Sequence, residues 1–224
     1  MYFPWNSEFD ESVEINAIEL PGQHSRFREQ PFEDASALIE NLLQSVTEKL
    51  DKPFAFFGHS LGALLSHELT CVLAERGLPQ PKTLFVSSFR APHTPKRLPD
   101  IGHLADDAFV QAIQSRYGGI PEAVLQEKDL LDLMLPGLRS GFKMFEDFRF
   151  QNQPPLAASI CAFGGRQDKV VAETELDAWR ERTLAEFELF MFEGGHFYLT
   201  EGRLPDLSAV IRQKLSAEQR KKAA

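Results

Sequence analysis

The chain is poor in cysteine and has no long apolar run. Its 224 residues include two cysteines, Cys71 and Cys161, both in apolar surroundings. This excludes a disulfide-stapled secreted scaffold and predicts reduced core thiols. No apolar run approaches the ~20 residues that span a bilayer. The first residues carry neither the basic region nor the apolar region of a secretory signal. We therefore expect a cytoplasmic protein without a membrane partner.

Positive charge is also scarce, and so are the motifs that bind common cofactors. Lys and Arg number 24 against 33 Asp and Glu, which gives a formal net charge of −9 and argues against binding to nucleic acid. The chain has no G-x-G-x-x-G or Walker loop and no cluster with metal-ligand spacing, so we expect no cofactor and no metal. The hydrophobic fraction of 43% is enough for one core, and we expect a single domain over residues 1–224 that acts as a monomer.

Predicted strands alternate with predicted helices along most of the chain. Apolar and polar residues alternate over 13–20 before Pro21-Gly22, which predicts a strand and a turn. Other strands are predicted at 54–57, buried on both faces, and at 83–88, 160–163 and 187–192. Helices are predicted at 32–50, 61–76, 178–183 and 207–215. This order indicates an α/β fold, with a mostly parallel sheet and helices on both faces.

One segment interrupts the alternation. Residues 103–150 have no strand signal and read as several helices with more apolar surface than a solvent-covered insertion needs. We interpret residues 93–150, called the helical insertion below, as a lid over the carboxyl edge of the sheet. Ordinary helical packing without a role at a site is the alternative.

The candidate nucleophile is Ser60. Gly58-His59-Ser60-Leu61-Gly62 matches G-x-S-x-G, between a predicted buried strand and a predicted helix. That context is typical of the nucleophile elbow of α/β-hydrolases, in which a strained turn raises the serine hydroxyl above the sheet. We expect Gly58 and Gly62 to remove Cβ atoms that would clash in this turn. The helix that follows favours developing negative charge at its amino end.

A nucleophilic serine needs a base, and the chain offers six histidines: His24, His59, His67, His93, His103 and His196. His196 follows a strand and two glycines, so it is expected at the same sheet edge as Ser60. His59 adjoins the nucleophile and is expected to point elsewhere, and the others suit ordinary polar roles.

The candidate acid is Asp168, because a triad of this fold runs Ser, Asp or Glu, then His along the chain. Asp168 ends a tight loop after the predicted strand at 160–163. A turn or helix-capping aspartate is the alternative. Asp177 and the carboxylates of the helical insertion belong to predicted helices, and Glu173 and Glu175 lie past the loop.

These motifs resemble the type II thioesterases of nonribosomal peptide and polyketide synthesis over nearly the whole chain. The matching segments are 20–22, 53–63, 87–93, 133–142, 162–168 and 194–197. The resemblance implies hydrolysis of acyl or aminoacyl thioesters on the phosphopantetheine arm of carrier domains, which edits a synthase. It also implies a triad of Ser60, Asp168 and His196, with acyl or peptidyl carrier domains as partners.

Two segments depart from the family pattern. Gln23-His24 replaces Arg-Glu after Leu-Pro-Gly. Family members also open with a strand and a glycine-rich loop that the written chain does not contain. We therefore expect the first strand to be missing between the predicted strands at 13–20 and 54–57. The Leu61 N–H would then be the oxyanion-hole donor that remains.

Two other functions stay open. A general carboxylesterase would use the same triad. An inactive, truncated module that binds carrier domains without turnover would fit the expected loss of an oxyanion donor.

Overall fold

A parallel sheet of four strands organises the chain. The computed structural model describes residues 3–223. The strands are β1 (Ala55–His59), β2 (Thr83–Ser87), β3 (Ser159–Gly165) and β4 (Phe187–Phe192). They lie side by side in chain order, and each pairs in parallel with the next. The strands predicted at 54–57, 83–88, 160–163 and 187–192 are thus confirmed.

Seven α-helices accompany the sheet within the described residues. They are α1 (Ala35–Thr47), α2 (Leu61–Glu75), α3 (Asp106–Arg116), α4 (Glu122–Gln126), α5 (Lys128–Asp147), α6 (Glu173–Asp177) and α7 (Leu204–Ala223). Short 3-10 helices occur at Phe3–Ser7, His24–Arg26, Ala178–Arg182 and Tyr198–Thr200. None of the helices in residues 3–223 combines the length and the apolar character that crossing a bilayer requires.

The two faces of the sheet carry separate apolar clusters, because successive strand residues point to opposite sides. Leu84 and Val86 of β2 pack with α2 and with Trp179 on one face. Phe85, between them, packs on the other face against α7 and Trp5. The sheet is therefore covered on both sides, as a parallel sheet requires, and this leaves its carboxyl edge as the place for loops.

The predicted strand at residues 13–20 is wrong. This segment forms no strand and is mostly exposed. Ile15 packs into the cluster around α7, whereas Leu20 packs into the cluster of α1 and α2. The segment therefore passes from one face of the sheet to the other and uses its apolar residues as anchors. Alternation defines two faces of an extended segment, but it does not supply a neighbouring strand to pair with.

β1 is the edge strand of the sheet among the described residues. It pairs with β2 (Ala55 opposite Thr83), and its residues Ala55 to Phe57 are half-buried rather than buried on both faces. Trp5 covers Phe57 at a ring distance of 4.6 Å. The strand expected to be missing beside β1 is indeed absent from residues 3–223, whereas the strand expected beyond it, at 13–20, does not form.

The helical insertion holds α3, α4 and α5 between β2 and β3, with no strand in 93–150. These helices share a small core of their own, made by Ile101, Phe109, Val110, Ile113, Ile120 and Leu135. The predicted absence of strands in this region is confirmed.

Candidate active site

Ser60 occupies a strained turn between β1 and α2. Its backbone has φ 53° and ψ −122°, outside the regions that non-glycine residues ordinarily adopt. The Ser60 N–H donates to the Ser87 carbonyl at 2.8 Å, which holds the turn against β2. Leu61 begins α2, so its N–H lies at the amino end of that helix, next to the serine.

The two glycines of the elbow are not equivalent. A Cβ on Gly58 would lie 2.1 Å from the Gly62 carbonyl oxygen, so only glycine fits there. A Cβ on Gly62 would meet no atom of residues 3–223 within 4 Å outside its own helix backbone and chain neighbours. The expected clash is confirmed for Gly58 and is wrong for Gly62. A Cβ on Gly58 would point at the Gly62 backbone, whereas a Cβ on Gly62 would point into space that no described atom occupies.

His196 and Asp168 are joined directly. His196 Nδ1 lies 2.9 Å from Asp168 Oδ2, and the two side chains are 2% and 1% exposed. An ionised carboxylate can only accept, so a neutral His196 donates from Nδ1 and keeps its lone pair on Nε2. Nε2 is buried and has no hydrogen-bond partner in the described part of the chain. Such an imidazole can take a proton at Nε2.

Asp168 also performs the turn role that was the alternative. Its Oδ1 accepts from the N–H groups of Val170 and Val171 at 2.8 and 3.2 Å. The two interpretations are therefore compatible, because one carboxylate oxygen holds the loop and the other holds the imidazole.

Backbone hydrogen bonds tie the Asp168 loop to the His196 loop. The Arg166 N–H donates to the Phe192 carbonyl, and the Gln167 N–H donates to the Gly194 carbonyl. Gln167 Oε1 in turn accepts from the Gly194 N–H. β3 and β4 thus deliver the two residues to one position at the carboxyl edge.

His59 lies beside the imidazole, contrary to expectation. Its ring centroid is 5.2 Å from that of His196, and its Nδ1 lies 2.9 Å from Ser87 Oγ. Burial, and then the nearby His196, hold the pKa of His59 well below its usual value. His59 therefore stays neutral and brings the elbow into contact with His196. Nothing in the motif indicates this contact, because it depends on how β1 and the His196 loop approach each other.

The histidines and carboxylates not chosen have other surroundings. His67 Nδ1 pairs with Glu68 at 2.8 Å, and His93 Nε2 pairs with Glu181 at 3.1 Å. His103 is exposed. Asp177 pairs with Arg180, and Glu175 accepts from the Ala172 N–H.

A cluster that the sequence analysis missed lies on α2. Ligand-capable atoms of His67, Glu68 and Cys71 lie within 4.8 Å of one another. Burial raises the pKa of the Cys71 thiol to about 12. Glu68 already accepts from His67 and from Gln153. These contacts explain the cluster as a hydrogen-bonded part of the core.

A cavity of about 650 Å³ lies near Lys82, Ser159 and Glu186. These residues adjoin the amino ends of β2, β3 and β4, opposite the edge that carries Ser60. Chemistry at Ser60 therefore does not use this cavity.

Comparison with known proteins identifies the family of the chain. The family described as "Thioesterase domain" matches residues 1–215. The chain is 34% identical over 212 residues to the gramicidin S biosynthesis protein GrsT of Aneurinibacillus migulanus, covering 95% of this chain and 82% of that one. RedJ, a thioesterase from the prodiginine pathway of Streptomyces coelicolor, is 33% identical with a TM-score of 0.87, covering 94% and 83%.

A third similar protein is BorB, a type II thioesterase from the borrelidin biosynthetic cluster. It is 31% identical with a TM-score of 0.85, covering 95% of this chain and 85% of that one. The resemblance to type II thioesterases is thereby confirmed, and the chain belongs to the thioesterase family.

Proposed function

We propose that this protein hydrolyses acyl or aminoacyl thioesters on the phosphopantetheine arm of carrier domains, through Ser60, His196 and Asp168. The observation that carries the proposal is the 2.9 Å contact between His196 and Asp168 at the sheet edge where Ser60 occupies a strained elbow. Family membership supports the thioester as the bond that is broken. The release of wrongly loaded acyl groups from a synthase is the role that the relatives suggest.

Acylation begins at the Ser60 hydroxyl. Its oxygen attacks the thioester carbonyl while His196 Nε2 takes the hydroxyl proton. Asp168 holds the imidazole in the tautomer that leaves Nε2 free and stabilises the imidazolium that forms. The pantetheine sulfur then leaves, and the proton on Nε2 passes to it.

Negative charge on the carbonyl oxygen needs donors during this step. The Leu61 N–H at the amino end of α2 is the donor that we propose, supported by the partial positive charge of the helix terminus. A water molecule activated by His196 then attacks the acyl-serine, and the free acid is released with Ser60 restored. The chain needs no cofactor of its own for this cycle, because the partner's carrier domain brings the pantetheine.

The helical insertion would act as a lid. It lies against the loop of His196 and against the Ser60 elbow. Tyr117 contacts His196, and a Cβ placed on Gly141 would lie 3.4 Å from the Leu61 side chain. Closure around a bound acyl group would exclude bulk water and strengthen the electrostatic interactions inside. We also propose that the protein acts as a monomer in the cytoplasm, which suits the two buried free thiols.

The decisive experiment compares the wild-type protein with Ser60→Ala on an acyl-carrier protein. Loss of such a serine costs on the order of 10⁶-fold in turnover. Ser45→Ala, which removes an exposed hydroxyl from α1, is the matched control and should keep full activity. A Ser60→Ala variant that keeps more than a small part of the activity would contradict the proposed nucleophile.

The same assay separates the rival functions. A general carboxylesterase would hydrolyse p-nitrophenyl esters much faster than acyl-pantetheine thioesters. An inactive binding module would bind the carrier protein but release no acid, and the wild type and Ser60→Ala would then give equal rates.

A further inference from the structure

Three aromatic rings surround the imidazole of His196. The ring centroids of His59, Phe197 and Tyr117 lie 5.2, 5.1 and 5.1 Å from that of His196. His196 is only 4% exposed. One of these rings comes from the elbow, one from the loop of His196 itself, and one from the helical insertion.

The His59 side of this group is fixed to the sheet. His59 bonds to Ser87 Oγ, which lies 2.8 Å from the Tyr198 hydroxyl. Ser87 ends β2, and Tyr198 follows the His196 loop. This ring therefore keeps its position as long as the sheet is folded.

Tyr117 contacts the imidazole from the helical insertion. It follows the last residue of α3, and its ring packs edge-to-face on Phe142 of α5 at 5.4 Å. Burial raises the pKa of its hydroxyl to about 12, so the phenol stays neutral. The contact between Tyr117 and His196 is nearly perpendicular, at 84°.

The two glycines after Tyr117 shape this contact. Gly118 and Gly119 have φ of +66° and +86°, a conformation that side chains disfavour. A Cβ on Gly119 would lie 2.2 Å from a ring carbon of Phe197. The tip of α3 is therefore fitted closely to both His196 and its neighbour.

We propose that Tyr117 is a positioning residue for the base. The imidazole of His196 then has the orientation that proton transfer requires only while the helical insertion packs against it. The hydrogen bond to Asp168 fixes one atom of the imidazole and leaves the ring free to tilt about that atom. His59 and Phe197 also pack on the imidazole, and the Tyr117 ring adds the contact that comes from the helical insertion. This added contact limits the tilt of the ring and thereby the position of Nε2. The inference rests on the proposed function, in which Nε2 takes the proton of Ser60.

The first test measures kcat and KM for a short acyl-pantetheine thioester. Misplacing a catalytic group by about 1 Å costs on the order of 10²-fold, so Tyr117→Ala should lower kcat by about 10- to 100-fold with KM little changed. Tyr117→Phe keeps the ring and should restore the wild-type kcat. Val110→Ala, which removes buried volume from the same helix, controls for a loosened insertion and should change kcat much less.

The second test avoids both the acyl pocket and the carrier protein. Phenylmethylsulfonyl fluoride reacts with a serine that its base has activated, so Tyr117→Ala should slow inactivation by a factor similar to the loss in kcat. If Tyr117 only lined the acyl pocket, the variant would change KM or acyl preference and react with the sulfonyl fluoride at the wild-type rate. That result would overturn the inference.

Failure of the proposed function has a different signature. A wild-type protein that reacts with the sulfonyl fluoride but hydrolyses no thioester would refute the substrate, while the inactivation rates would still test Tyr117. Should Tyr117→Ala not fold, as judged by its melting curve, Tyr117→Leu replaces it because leucine keeps most of the buried volume.

Discussion

The loops that carry Ser60, Asp168 and His196 are joined to one another by hydrogen bonds, whereas the helices α3 to α5 of the helical insertion meet these loops mainly through apolar contacts. On the sheet side, each loop bonds to the backbone of its neighbour, as in the bonds from Ser60 to Ser87 and from Gln167 to Gly194. Such directional bonds define positions closely.

The insertion is fixed mainly to itself. Glu146 accepts from the Ile101 and Gly102 N–H groups, and Arg139 donates to the Gly102 and Leu104 carbonyls. Its contacts with the rest of the molecule include rings, such as Phe145 on Phe89 at 6.0 Å. They also include hydrogen bonds near the ends of the insertion and on α5, from Arg97 to the Val170 carbonyl and from Ser140 to the Phe32 carbonyl. Apolar contacts are non-directional and can break without leaving a buried polar group unpaired. We therefore expect the loops of Ser60, Asp168 and His196 to be the more rigid side, and the helices α3 to α5 to shift against them more easily.

After the loss expected for Ser60→Ala, the largest effect is expected on the rigid side, at the proposed acid. Asp168→Asn should lower turnover by on the order of 10⁴-fold, because the amide stabilises the wrong imidazole tautomer. The variant should fold, since Asn retains an oxygen for the Val170 and Val171 N–H groups. Turnover on an acyl-carrier protein is the measurement, with Asp177→Asn as control because Asp177 pairs with Arg180 away from His196. Equal rates in wild type and Asp168→Asn would exclude Asp168 as the acid.

A second test of rigidity is made at the elbow, and it measures the free energy of unfolding. Gly58→Ala should destabilise the fold by about 3 kcal/mol, the upper part of the usual range for overpacking, because its Cβ meets the Gly62 carbonyl at 2.1 Å. Gly62→Ala is the matched control, and it should be neutral or slightly stabilising because alanine favours helices by about 1 kcal/mol over glycine. Urea unfolding measures both. Similar stabilities for the two variants would show that the elbow is more deformable than its contacts indicate.

The residues at the strand ends were predictable, and the contacts between distant elements were not. Ser60, Asp168 and His196 each follow a strand with glycines beside it, and parallel strands bring their carboxyl ends to one edge. The positions of His59 and Tyr117 beside His196 depend on how separate elements pack, which no local pattern encodes. The strand prediction for residues 13–20 is wrong for the same reason, because alternation is a local pattern and strand pairing depends on distant residues.

On the insertion side, the buried Glu146 is the anchor to remove. Glu146→Gln should lower stability by about 1–3 kcal/mol. The amide oxygen can still accept from the Ile101 and Gly102 N–H groups, but these bonds lose the carboxylate charge, and an NH2 group would face the Gly102 N–H where Oε2 now accepts. Hydrogen exchange should show the loss in 101–147 rather than in the sheet. Asp147→Asn, which breaks only a surface pair with Lys143, should leave exchange unchanged. Faster exchange spread evenly over the sheet and the insertion would mean that the two regions unfold together and do not differ in rigidity.

The smallest effect concerns the dependence of stability on pH, and it comes from His59 on the rigid side. Burial keeps the pKa of His59 in the folded protein well below 6.5, so the unfolded chain binds the proton first as the pH falls. The stability that the neutral imidazole contributes is therefore complete above pH 6.5 and declines below it, by up to about 1.4 kcal/mol per pH unit for one proton. Urea unfolding between pH 7.5 and 5.5 should show this loss in the wild type and a flatter profile in His59→Gln. His103→Gln, at an exposed position, should keep the wild-type profile. If His59→Gln lost stability with acid as steeply as the wild type, another group would carry the dependence, and His59 would not be the neutral anchor against which His196 is held.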